Sequence, residues 1–382
     1  MKRLLFALVA VFCGAAVLAD DAEFCAAYQN LVDNRDVPGA VVVIASPTEI
    51  LEVHEIGFAD LDAKTPIRDD SQFWIASNTK AFVAVATMIC VEEGLLDLDA
   101  PVDAYLPQLK NLKVARAQDD GTTLLVPVAK APTLRQSLSH TAGFRFITPF
   151  QEAYGIDSLP VQRHMTVVGQ TPLIDEPGAR YSYSNLGIDV AQAAVEVVTK
   201  KPFEVFLKER VLDPLEMTDT TFYPNDDQLK RLATPYRWDG EKKKLAPFRF
   251  TQTPSIDDGS PRYAEGGGGL FSSAKDFVKF YQMLGGKGVG ANGKRILSES
   301  SVETIGSKQT GESLKDEYGF GVVTPEEWFG HGGAYGTQGV AYRDGSVVGI
   351  YMVALGGIPK QGEAERLFRA RLAEVAKERG AK

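Results

Sequence analysis

Ser77 and Lys80 stand three residues apart in Ser77-Asn78-Thr79-Lys80. On a helix that spacing puts both side chains on one face, so the amine can sit beside the hydroxyl. A serine hydroxyl is a weak nucleophile until a base takes its proton. Lysine can be that base only where burial or a neighbouring cation lowers its pKa from about 10.4. A helix N-terminus there would add positive potential and a free N–H for an oxyanion. The flanks, Phe73-Trp74-Ile75-Ala76 before and Ala81-Phe82-Val83-Ala84-Val85 after, are apolar and argue for a buried lysine. The chemistry this predicts is acyl transfer through a serine nucleophile.

Two more short patterns fit that chemistry. Tyr183-Ser184-Asn185 offers a phenol to shuttle protons to and from Ser77, and an amide to hold Lys80 and a substrate. Tyr181 competes for the tyrosine role. His331-Gly332-Gly333 falls on a strand-like run, where glycines let a ligand approach the backbone, and the Ala334 N–H is a candidate second oxyanion donor. Each pattern alone has a plain structural reading: an N-cap serine with a surface lysine, a polar turn after Pro177-Gly178, a bulged edge strand. His140 reads as a residue that fixes a loop by hydrogen bonding. The run Gly266 to Gly269 reads as a tight bend beside the site. Gly288-Val289-Gly290-Ala291-Asn292-Gly293 follows a helix rather than a strand and reads as a surface loop, not a nucleotide fingerprint.

The elements that must position these residues follow from periodicity and punctuation. Residues 21–36 read as a short amphipathic helix, and 39–46 and 50–58 as two strands joined by a turn at Pro47. Residues 77–94 read as a helix with Ser77 as its cap type and Gly94 as its stop. From about 95 to 260, helical stretches at 135–139, 187–199 and 202–212 alternate with long polar loops, with only weak strand signals. A capped helix at 272–284 is followed by strand-like runs at 318–323, 328–332, 338–342 and 347–355, then a charged helix at 363–379. Strands thus lie at both ends of the chain and helices between. The expected fold is α+β: one antiparallel sheet built from both ends and flanked by terminal helices, with an inserted mostly helical domain. The expected boundaries are 20–76 with 265–382 for the sheet domain and 77–264 for the insertion, the active site lying in the cleft between.

Composition narrows the function classes. The chain has 382 residues, 44% hydrophobic and 24% charged, which excludes a disordered, collagen-like or multi-span membrane protein. With 50 acidic against 41 basic residues and no basic run, it has no electrostatic footprint for nucleic acid. Three cysteines are too few for a disulfide scaffold or a Cys-rich zinc module. No His-Glu-x-x-His or other linear metal motif appears, so neither metal nor cofactor is expected. Lys2 and Arg3 precede an apolar run over 4–19 that is shorter than the roughly 20 residues needed to span a bilayer. That is the pattern of a secretory signal peptide cleaved near Ala19, with a periplasmic or secreted mature chain and no stable membrane span. Export would permit a disulfide between Cys25 and Cys90; two unpaired thiols fit as well.

Taken together, Ser-x-x-Lys at 77, Tyr-x-Asn at 183 and His-x-Gly at 331, in that order, resemble the class C β-lactamase, DD-peptidase and related esterase family. Segments such as LRQSLSHTAGF, EPGARYSYSNLG and GGGGLFSSAKDFVKF extend the resemblance over most of the chain. It implies that Ser77 forms the acyl-enzyme, and that Lys80 and Tyr183 share the acid and base roles, with the acylation base open between them. It implies that Asn185 orients Lys80 and the substrate, and that the N–H groups of Ser77 and Ala334, beside Gly333, form the oxyanion hole. One departure bears on substrate: where class C β-lactamases carry Lys-Thr-Gly, this chain has His331-Gly332-Gly333. A largely neutral histidine binds a substrate carboxylate less well than lysine does. The expected substrate is therefore a small ester, ahead of a D-amino-acid peptide or a β-lactam. A non-catalytic penicillin or cell-wall-fragment sensor is the competing reading.

Overall fold

The structure, a computed structural model, describes residues 21–380 apart from 251, 254, 255, 257–259 and 358–360. The signal-peptide reading of residues 1–19 lies outside the described residues.

β1 (Gly39–Ala45), with the sequence GAVVVIA, is buried along its whole length. A run this rich in β-branched residues fits a strand covered on both faces. The hairpin at Pro47 returns as β2 (Ile50–Asp60), which pairs with β1 antiparallel with Val43 opposite Val53, and β3 (Thr65–Pro66) follows at the edge. The other neighbours come from the far end of the chain. β10 (Trp328–Gly332), β11 (Gln338–Tyr342) and β12 (Val348–Met352) complete a sheet of order β10-β11-β12-β1-β2-β3, with Val43 opposite Ile350. The numbers between belong to short strands: β4 (Gln72–Trp74) pairs with β9 (Phe271–Ser273), β5 (Lys113–Ala117) with β6 (Thr123–Pro127), and β7 (Tyr236–Asp239) with β8 (Lys244–Pro247).

Alternation along the sheet supplies two apolar faces. Val42, Ile44, Val340 and Tyr351 face α1 (Asp21–Asp33) and the C-terminal helix 361–378. There Phe24, Tyr28 and Leu31 of α1, spaced i, i+4, i+7, are buried, and the Tyr28 and Tyr351 hydroxyls meet at 2.8 Å. Val41, Val43, Ile350 and Met352 face the opposite way, into a continuous core that includes α2 (Thr79–Glu92). Residues Thr79 to Cys90 of α2 are all buried, as expected of a helix apolar on every side. Phe82 stacks on Phe280 with centroids 3.7 Å apart.

The helical middle follows the sequence reading, with helices at Leu134–Leu138, Asn185–Thr199 and Phe203–Leu207. Three local readings differ. Ser77 is not a helix N-cap: it sits in a single 3-10 turn, Ala76–Asn78, and Asn78 is the N-cap of α2. Residues 318–323 are not a strand but a tight turn closed by a Tyr318–Val323 bridge, in which Gly321 presses against the Lys80 carbonyl. The stretch from 95 onward, read as polar loops with only weak strand signals, contains the β5–β6 hairpin before the helix at Leu134–Leu138. Cys25 and Cys90 are both free thiols. Among the described residues, no helix is long and apolar enough to cross a membrane.

Candidate active site

Ser77 lies where β4 gives way to α2. Ala76, just before it, has φ of +45°, a left-handed conformation that costs a non-glycine residue of order 1 kcal/mol or more. The turn is held from several sides. Thr79 Oγ1 donates to the Ala76 carbonyl at 2.7 Å and accepts the Leu270 N–H at 3.1 Å. The Asn78 amide donates to Thr337 Oγ1 at 3.1 Å. These contacts leave Ser77 half-buried at the surface of a rigid knot, with Lys80 fully buried one turn on.

Lys80 Nζ is 3.1 Å from Ser77 Oγ, 2.8 Å from Asn185 Oδ1, and bonded to the Gly267 carbonyl. It also stands 4.8 Å from the centroid of the Tyr183 ring. The predicted residues Ser77, Lys80, Tyr183 and Asn185 therefore meet in one cluster. Tyr183, not its rival Tyr181, is the tyrosine beside Lys80.

Tyr183 and Asn185 are placed by the loop before the helix Asn185–Thr199. Ser184 caps that helix by accepting the Gly187 N–H, and its hydroxyl donates to the Arg145 carbonyl at 2.6 Å. His140 Nδ1 accepts the Ser184 N–H at 3.3 Å. His140 thus fixes the loop that carries Tyr183, the part expected of it. Its ring lies 4.5 Å from the Tyr183 ring.

His331, on β10, reaches the same cluster from the other end of the chain. Its Nδ1 is 2.6 Å from the Gly332 carbonyl. A carbonyl only accepts, so Nδ1 carries the hydrogen and Nε2 keeps a lone pair. That lone pair faces the Tyr183 hydroxyl at 3.4 Å. Gly333 begins the turn after β10: its N–H donates to the Thr337 carbonyl at 2.6 Å, and a Cβ there would lie 2.5 Å from the Ile75 carbonyl. Only glycine allows this turn to pack against the strand leading into Ser77. Ala334 follows in the same turn, exposed.

The sequence reading passed over the layer behind Lys80. Asn185, Asp189 and Gln192, at i, i+4 and i+7, form a polar stripe on an otherwise apolar helix. The stripe grips the glycine bend: Gln192 Oε1 accepts the Gly266 N–H at 2.7 Å, and Asp189 Oδ1 accepts the Gly267 N–H at 3.3 Å. A Cβ on Gly267 would fall 2.5 Å from Glu265 Oε1 and 2.6 Å from Asn185 Cβ. The bend expected beside the site is thus the element that presents a carbonyl to Lys80. The available signal was a carboxylate four residues after Asn185 within an apolar run.

The charges are unusual in their burial. Burial lowers the Lys80 pKa to about 8, against the pull of Glu265 and Asp189, which favour its charged form. Burial raises the Asp189 carboxyl, and burial with the nearby Asp189 charge raises Glu265 further. Burial also raises Tyr183, with Ser77 opposing, so its phenol holds its proton. Burial and the Lys80 charge lower His331 to about 3, so its imidazole is neutral at physiological pH. The cluster thus contains a serine hydroxyl, an amine poised near neutrality, a protonated phenol and a neutral imidazole, with no cation at the third motif.

A sequence-family profile described as Beta-lactamase matches residues 24–374. Esterase EstB of Burkholderia gladioli is 31% identical over 296 residues, 71% of each chain. An uncharacterized protein of Mycobacterium tuberculosis is 32% identical over 86% of this chain and 88% of its own. Among solved structures, the LovD6 mutant of simvastatin synthase LovD from Aspergillus terreus superposes with a TM-score of 0.78 at 22% identity, covering 93% of this chain and 97% of its own. The last likeness is one of fold.

Proposed function

This chain belongs to the beta-lactamase family of serine hydrolases, and from that premise we propose that it cleaves small carboxylic esters through an acyl-enzyme on Ser77. The observation that carries the reading is the set of partners around Lys80 Nζ. A neutral amine has two N–H donors and one lone pair. The Asn185 and Gly267 oxygens take the donors, and the lone pair faces the Ser77 hydroxyl. The ammonium, with three donors, fits the same three oxygens. Proton transfer from Ser77 to Lys80 therefore needs no rearrangement of the site.

Lys80 is the acylation base in this scheme. It takes the Ser77 proton as Oγ forms a bond to the ester carbonyl carbon. The Ser77 and Ala334 N–H groups receive the oxyanion. The C–O bond to the leaving group then breaks, and the departing alkoxide takes a proton from the Tyr183 phenol, which is restored from Lys80. Water attacks the acyl-enzyme with its proton passing to the same amine, the C–O bond to Ser77 Oγ breaks as Lys80 returns that proton to Oγ, and the carboxylic acid leaves.

Substrate preference follows from the third motif. A neutral His331 supplies no fixed charge for a carboxylate. This favours an uncharged acyl or alcohol group over a D-peptide or a β-lactam. Relatives with esterase names, EstB and a lovastatin esterase of Penicillium rubens at 29% identity, support this reading. Export belongs to the same reading and rests on Lys2, Arg3 and the apolar run at 4–19.

The test pairs a short-chain nitrophenyl ester with a chromogenic cephalosporin and a fluorescent penicillin, in wild type and Ser77→Ala. Turnover of the ester that is lost in Ser77→Ala supports the proposal. Faster turnover of the cephalosporin than of the ester shows a β-lactamase, and stable penicillin labelling without turnover shows a sensor; either overturns it.

A further inference from the structure

Far from Ser77, on the face of the sheet covered by α1, three side chains of different chemistry converge on one point. Asp21 and Cys25 are i and i+4 on α1, hence on one face of the helix. His54 projects toward them from β2. Cys25 Sγ is 3.4 Å from His54 Nδ1 and 3.7 Å from Asp21 Oδ1, and that same Oδ1 is 3.3 Å from His54 Nδ1. The three atoms form a closed triangle.

Those edges can be compared with a coordination polyhedron. Zinc binds sulfur at about 2.3 Å and nitrogen or oxygen at about 2.0–2.2 Å. Tetrahedral angles then set sulfur about 3.5 Å from each lighter ligand and the two lighter ligands about 3.4 Å apart. The observed edges of 3.4, 3.7 and 3.3 Å all lie within about 0.2 Å of these values.

The surroundings favour a ligand histidine as well. His54 Nε2 lies 3.0 Å from Glu52 Oε2, and Glu52 in turn binds the Arg371 guanidinium. A carboxylate accepts only, so Nε2 carries the hydrogen and the Nδ1 lone pair points at Cys25 and Asp21. A carboxylate on the far nitrogen is the usual means of fixing the tautomer and orientation of a metal-bound histidine. Graded exposure provides an entry path: His54 is buried, Cys25 half-buried and Asp21 exposed.

We propose that Asp21, Cys25 and His54 form a three-ligand site for a zinc-class divalent ion, which fastens α1 to β2. One thiolate, one imidazole and one carboxylate suit zinc over magnesium or calcium. Water takes the fourth position on the solvent side. Binding releases the Cys25 thiol proton to solvent. The site acts as a clasp: it joins the first two turns of α1 to the second strand of the sheet, on the opposite side of the sheet from α2 and Lys80.

The experiment uses the reduced protein and cobalt(II) as a spectroscopic substitute for zinc. The expected result is one equivalent of cobalt with a thiolate-to-metal charge-transfer band and the intense visible bands of a tetrahedral site, both bleached by zinc. Cys25→Ser removes the charge-transfer band. Glu52→Gln keeps the band and weakens affinity about 10–100-fold, as loss of an outer-shell partner does. Zinc raises the Tm of the wild type and not that of Cys25→Ser. Absence of the band in folded wild-type protein, or a band and a zinc-dependent Tm that persist in Cys25→Ser, overturns the proposal and leaves a hydrogen-bonded cluster only.

Discussion

Lys80 Nζ lies 3.1 Å from Ser77 Oγ while its other two polar contacts are carbonyl oxygens, those of Asn185 and Gly267. The amine is surrounded by acceptors except where the hydroxyl can donate to it. This arrangement, more than either residue alone, makes Ser77 a nucleophile in the proposed mechanism.

Ser77→Ala removes the attacking atom and leaves the turn intact, because its hydrogen bonds run through Thr79 and Asn78. Ester hydrolysis is expected to fall by roughly 10⁴-fold or more, the scale on which nucleophile loss acts in serine hydrolases. Unchanged Tm with near-complete loss of kcat is the expected pair; substantial residual kcat rules out Ser77.

The base must be neutral to accept a proton, so the active fraction grows as pH rises through its pKa. Burial brings Lys80 down to about 8. The plot of log kcat/KM against pH is expected to climb on the acid side and level above about 8, rather than above the ordinary lysine value of about 10.4. His331, held near 3 by burial and the Lys80 charge, adds no limb near 6.5. Lys80→Met loses at least about 10²-fold in rate. A limb near 6.5 that vanishes in His331→Gln assigns the base elsewhere.

Asp189 lies behind Lys80 and favours its charged form. Asp189→Asn removes that influence, so Lys80 deprotonates more easily and the acid limb moves to lower pH. The same change weakens the acceptor for the Gly267 N–H, and stability falls by about 1–3 kcal/mol in urea unfolding. A stability loss with no movement of the limb shows Asp189 to be structural alone.

Gly267→Ala inserts a methyl group 2.6 Å from Asn185 Cβ and 2.5 Å from Glu265 Oε1. Both neighbours must shift, and with them the two carbonyls that hold Lys80. Because small misplacements of reacting groups are costly, kcat is expected to fall about 10²-fold with KM little changed. Steady-state kinetics on the nitrophenyl ester read both.

The sequence revealed the chemistry better than its support. Ser77, Lys80, Tyr183 and Asn185 were legible because each motif is short and its residue types are specific. The sheet was legible because β1 is an unbroken β-branched run and the late strands are bounded by glycines. The β5–β6 hairpin was missed although Asp120-Gly121 is a strong turn signal; its strands are exposed and carry little alternation. Residues 318–323 misled because their apolar content reflects burial in a turn against Lys80, and burial does not distinguish turn from strand. Asp189 had a signal that was passed over, a carboxylate within an apolar run; Glu265 and the Cys25–His54 pair were invisible for a shared reason. Their partners lie tens of residues away, and only the folded chain supplies the distances.

β1 waits for β12: Val43 pairs with Ile350, more than three hundred residues downstream. During synthesis the nucleophile and its lysine emerge early, while His331 and the turn at Gly333 and Ala334 emerge near the end. Until then the sheet keeps an open edge, and closing it carries the slow kinetics of distant contacts. In the proposed mechanism a chain that ends before β10 carries the serine and the lysine but lacks His331 and the turn at Ala334, and so has no complete centre. On that mechanism, competence arrives only when the last strands have been made.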